Sequence, residues 1–105
     1  MAVNILLLGR RGVILEEAKA AIDFPNVEIF VGTNIDDVRH VLANNQIDHV
    51  FSGAGIDLEK RLEMVQTIFE TSSITTVHLK DATSGPKAFF PFVKAVLQGL
   101  SKGEA

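Results

Sequence analysis

Two short stretches hold the residues best suited to chemistry. Gly9-Arg10-Arg11-Gly12 directly follows an apolar run, Asn4–Leu8, and opens a helical pattern. Glycine at both ends lets the backbone approach a ligand, and either arginine can form a forked pair with a phosphate. A turn of this kind between strand and helix is the context of a phosphate cradle. The plainer alternative is a tight turn carrying two solvated arginines. The second stretch, His78-Leu79-Lys80-Asp81, closes the last strand pattern. A His, a Lys and an Asp at a strand end suit acid–base work or anion binding, and Lys80 on a rim favours the anion. The alternative is an edge-strand His beside a solvated Lys–Asp pair. Ser52-Gly53-Ala54-Gly55 is a small-residue loop that either lines the facing wall of such a site or connects flexibly to the next helix.

Four strand-then-helix units position these residues. The run Asn4–Leu8 suits a central strand covered on both faces. Ile14, Ala18, Ala21 and Ile22 then recur at helical spacing. Val27–Val31 is a second strand, and Glu28 suits it to an edge. Thr33 or Asn34 is the expected cap of a second helix, whose inner stripe is Ile35, Val38, Val41 and Leu42. Ile47–Phe51 is strand three. Asp57 is the expected cap of helix three, with Leu58, Leu62, Val65 and Phe69 on one face and Met64 and Ile68 beside them. Ile74–Leu79 is strand four, and a last helix runs to about Leu100.

Alternation of strands with helices of ten or more residues implies parallel strands joined by right-handed crossovers. The expected fold is an α/β three-layer sandwich, (βα)4, with a four-stranded parallel sheet of order 2-1-3-4, flavodoxin-like or half-Rossmann. In such a sheet ligands bind at the carboxyl ends of the strands where strand order reverses, here between strands one and three. The expected anion-binding residues are therefore Gly9, Arg10, Arg11, Gly12, Thr33, Ser52, Gly53 and Lys80.

Three of the seven phenylalanines fall at Phe89, Phe90 and Phe92, with Val96 one turn on. Pro91 starts or kinks that helix. A small domain exposing such a cluster would pair with its own copy through it, making these four residues the expected dimer interface. The alternative is a broad core face covering the sheet.

Composition bounds the rest. The chain has 105 residues, a net charge of −3 and no cysteine. The expected organisation is one α/β domain over 1–100 and a frayed tail over 101–105. Absence of cysteine removes disulfides, thiolate metal sites and cysteine nucleophiles. No two histidines stand at ligand spacing, so no metal site is expected. The mild acidity argues against a nucleic-acid partner, and no apolar run approaches the ~18 residues that span a bilayer. The apolar start has no basic residues before it and reads as a strand rather than a secretory signal, so a cytoplasmic location is expected. The motifs identify no cofactor.

Gly9-x-x-Gly12 after a strand resembles the start of Rossmann-type nucleotide-binding domains, although Leu15 stands where a third glycine would be. At fold level the chain resembles response-regulator receiver domains. Receivers need acids after strand one and a phosphoacceptor Asp ending strand three; Arg10-Arg11 and Ser52 stand there instead. The resemblance thus implies a receiver-like layout without magnesium or phosphoaspartate chemistry. The first strand–loop–helix is also similar to phosphotransferase IIB domains and small tyrosine phosphatases, which need a cysteine in that loop. The expected function is binding of a small anionic molecule, a nucleotide or phosphorylated metabolite. A non-catalytic, dimerising regulatory or scaffold domain is the alternative, and a small enzyme using His78, Asp81 or Ser52 comes third.

Overall fold

The structure, a computed structural model, describes residues 2–102. Its elements are β1 (Val3–Leu8), α1 (Leu15–Ile22), β2 (Val27–Gly32), α2 (Ile35–Asn44), β3 (His49–Ser52), α3 (Leu58–Thr71), β4 (Thr76–Leu79) and α4 (Phe89–Lys102). A single 3-10 turn, Pro86–Ala88, leads into α4. The four strands form one sheet of order β2-β1-β3-β4, every pair parallel. This is the α/β layout and strand order expected from the sequence.

Strand alternation sorts the core into two layers. Leu6, Leu8 and Val50 face α2 and α3, where they meet Val38, Val41, Met64 and Ile68. Ile5, Leu7 and Phe51 face the other way, onto Ala18 and Ile22 of α1 and Val93 and Leu97 of α4. β1 is central, and its residues Ile5–Leu8 are all buried. β2 forms one edge, with Glu28 exposed as its polarity suggested.

Two helices differ from expectation. On α3 the inner stripe is Met64 and Ile68, whereas Leu58, Leu62 and Phe69 are exposed. Both stripes have helical spacing, and docking on the sheet selected the narrower one. On α1 only Ala18 and Ile22 are buried; Ala21 is exposed, and Ile14 is 64% exposed because it precedes the helix as its cap residue. α4 extends through Lys102, two residues into the expected tail, and the remainder of that tail, 103–105, lies outside the described residues. Among the described residues no helix is long and apolar enough to cross a membrane.

Phe92 and Val96 pack against the α1–α4 layer and are partly buried. Phe51 meets Phe92 edge to face at 6.2 Å, a geometry that aromatic quadrupoles favour. Pro91 sits in the first turn of α4, where its missing N–H breaks no helical hydrogen bond.

Candidate functional site

Strand hydrogen bonding runs one residue beyond the strands and pins the loops at the carboxyl edge. The Gly9 amide donates to Gly32 O at 3.2 Å, Gly53 N to Leu8 O at 2.9 Å, and Lys80 N to Ser52 O at 3.0 Å. The loops after β1, β3 and β4 therefore start from fixed positions. Between them and the start of α4 lies a cavity of about 650 Å³. Its lining includes Gly9, Arg10, Arg11, Gly12, Gly53 and Lys80, six of the eight residues expected to hold an anion.

The first loop closes through Gly12 N to Gly9 O at 3.2 Å. Gly12 has φ +86°, a left-handed conformation that costs any other L-residue free energy. Arg10 and Arg11 are exposed, and among the described residues neither makes an ion pair. α1 then begins at Ile14 with no side-chain cap, so its first amides are unsatisfied by a neighbouring side chain. Glu17, in the first turn of α1, lines the same cavity.

Lys80 is the unusual member. It is only 3% exposed, not the solvated lysine of the plainer sequence reading. Its Nζ donates to Asp81 O at 2.9 Å and to Ser84 Oγ at 2.8 Å. Both acceptors are neutral, and no carboxylate oxygen lies within ion-pair distance of Nζ among the described residues. The Asp81 carboxylate is engaged elsewhere, accepting from Ser84 Oγ and Ser84 N, each at 2.8 Å. Those two bonds, and then the nearby Lys80 charge, hold its pKa below the usual carboxylate value. Ser84 Oγ thus bridges the Lys80 ammonium to the Asp81 carboxylate, and the turn Asp81–Ser84 folds over the lysine without a direct ion pair among the described residues.

Two expected residues stand apart from the cavity lining. Thr33 serves the start of α2: its N–H and Oγ1 donate to Asp37 Oδ2 at 2.8 and 3.1 Å, while Asn34 Oδ1 accepts from Asp37 N. That reciprocal cap uses the groups Thr33 would offer a ligand. Ser52 is buried, and its hydroxyl donates to Gly53 O at 3.2 Å.

His78 also lies outside the cavity lining. It stacks on Phe51 at 5.0 Å, on the α4 side of the sheet. The Thr76 hydroxyl lies between two rings, 2.6 Å from His49 Nδ1 and 2.8 Å from His78 Nε2. A hydroxyl has one proton, so it donates to one ring and accepts from the other. Burial pushes both histidine pKa values down; the Asp48 charge opposes this at His49, and the His49 charge adds to it at His78. Among the described residues no cluster of three His, Asp or Glu side chains stands ready for a metal.

Sequence reasoning missed the apolar half of the site. Phe89, Phe90, Pro86 and Ile14 line the cavity, so two of the four residues expected at a dimer interface lie at its wall. The signal available was Gly85-Pro86 (Gly85 has φ +79°), which turns the chain back over the carboxyl edge. Comparison with protein-family models, curated proteins and solved structures returned no match. What the site does must therefore be argued from its own chemistry.

Proposed function

We propose that the protein binds a small anionic molecule, a nucleotide or a phosphorylated metabolite, in the carboxyl-edge cavity. The observation that carries this reading is Lys80: a buried ammonium at the cavity wall with only neutral acceptors. Burying a charge without a direct ion pair is costly; Asp81 reaches the ammonium only through Ser84, and an entering anion supplies a direct partner. Arg10 and Arg11, without an ion pair among the described residues, add two cations at the mouth, and the uncapped start of α1 adds backbone donors. Phe89, Phe90 and Ile14 give the ligand an apolar surface to lie against, as a flat ring would. Glu17, in that same first turn, can accept from a hydroxyl or amino group of the ligand. The lining contains no Ser, Thr, Cys or His, which suits a binding module better than a hydrolase.

A thermal-shift screen of nucleotides and phosphorylated metabolites tests the proposal. A ligand at about a hundredfold excess over Kd raises the melting temperature by roughly 10 °C in a domain of this size. The shift should vanish in an Arg10→Ser/Arg11→Ser variant whose own stability is unchanged. If no compound moves the wild-type transition at millimolar concentration, the reading fails.

A further inference from the structure

The exposed large hydrophobic side chains are unevenly distributed. Five of them, Leu58, Leu62, Phe69, Ile74 and Leu79, are between 40% and 59% exposed, and all belong to α3 or to β4 and its lead-in. Leu58, Leu62 and Phe69 form one stripe along α3 at about 100° per residue. Met64 and Ile68 point into the core shared with the sheet and α2. Arg61 lies between that inner face and the stripe, about 80° from the latter, and its Nη1 reaches over the end of β4 to donate to Lys80 O at 3.4 Å, so the stripe turns to the β4 side. It therefore overhangs the open edge of the sheet. Glu59, Glu63 and Glu70 fall on the next face round, about 100° away, and leave the stripe uncharged.

β4 itself is unguarded. The Thr76 and Lys80 amides donate inward to Asp48 O and Ser52 O. By strand alternation the N–H and C=O groups of Val77 and Leu79 point outward, with no strand to receive them. Thr76–Leu79 contains no charge and no proline, the usual devices that keep an edge from pairing. β2, the other edge, carries the exposed Glu28.

We infer that this flank is the interface of a two-fold dimer, with β4 pairing antiparallel to β4 of a second copy to give an eight-stranded sheet. The patch is complementary to itself under that operation. On α3, Leu58 marks the carboxyl end of the patch and Phe69 its amino end, and a two-fold axis normal to the sheet at His78 lays one on the other, with Leu79 close to the axis. Centred on His78, the pairing sets Val77 opposite Leu79 of the second copy, and those are the residues with free backbone groups. The five side chains expose on the order of 500 Å² per copy, taking roughly 200 Å² for a large residue fully exposed. Two copies bury about 1,000 Å² before the strand backbone is added, which reaches the range of specific interfaces.

Sedimentation of the full chain at high micromolar concentration should give a dimer. Leu62→Glu/Leu79→Lys, both at exposed positions, should sediment as a monomer with an unchanged melting transition. The chain has no cysteine, so His78→Cys places a single thiol opposite itself, and mild oxidation should yield a covalent dimer. A monomeric wild-type protein overturns the inference, as does a dimer indifferent to the double variant. A His78→Cys dimer that fails to cross-link overturns the strand pairing.

Discussion

The carboxyl edge and the seam between β3 and β4 are both polar, yet they dispose of their polar groups in opposite ways. In the seam every partner is internal. Thr75 Oγ1 donates to Ile47 O at 2.6 Å, Ser72 Oγ accepts from the Ile74 and Thr75 amides, and Thr76 joins His49 to His78. At the carboxyl edge groups are left over among the described residues: two arginines without carboxylates, a helix start without a side-chain cap, and a buried lysine whose direct acceptors are neutral oxygens. Polarity alone does not mark a site. A polar group whose partners are already supplied stabilises the fold, and one whose partner is missing is available to a ligand.

The contrast can be broken most sharply at Lys80. Lys80→Met should weaken ligand binding by about 2–5 kcal/mol, the cost of truncating one side of a buried charge pair. Its effect on the stability of the free protein should be small, because the buried charge leaves with the side chain and no direct ion pair is broken. Calorimetric titration and thermal unfolding together check both halves; a large stability loss with intact binding would assign Lys80 to the structural class.

Thr75→Val should show the reverse pattern. It strands the Ile47 carbonyl in the interior, a loss of about 1–3 kcal/mol, and should leave ligand affinity unchanged. Urea unfolding measures the first and titration the second. Gly12→Ala should fall between the two. Forcing alanine to φ +86° costs about 1–2 kcal/mol, although the added Cβ would meet only Thr33 Cγ2 at an ordinary 3.7 Å. Both stability and binding should drop, since the same turn shapes the cavity wall.

The smallest expected effect is acid sensitivity of the seam. Burial lowers the pKa of His49 and His78, so the unfolded chain binds more protons once pH drops below the ordinary histidine value of 6.5. Stability should be complete above that value and decline as pH falls through it toward the lower folded-state values. A His49→Gln variant should show a flatter profile between pH 8 and 5, read by chemical denaturation at each pH.

How far the sequence could be read follows from which interactions are local. The parallel sheet and its order were legible because uninterrupted apolar runs and helices of sufficient length leave few alternatives. Six of the eight residues expected to hold an anion line the carboxyl-edge cavity because strand ends in such a sheet converge. Thr33 was misplaced because capping competes for the same hydroxyl and amide, although Asp37 four residues on was a visible clue. The burial of Lys80 was not legible. Its composition reads as surface, and only the Asp81–Ser84 turn closing over it removes it from water. The inner face of α3 was ambiguous for another reason. Leu58, Leu62 and Phe69 match helical period as well as Met64 and Ile68 do, and period cannot say which of two stripes meets the sheet.

The sequence by itself determined the alternation of elements, the parallel sheet, the end of the sheet at which the glycine-bearing loops gather, and the absence of thiol chemistry. Those follow from periodicity, glycine placement and residue type, which act over a few neighbouring positions. Tertiary structure alone decided which stripe of α3 is buried, which flank stays apolar and open, and which cation lies in the interior without a direct ion pair. Each depends on groups far apart in the chain competing for the same space or partner, and that competition is resolved only when the sheet and its helices close on one another.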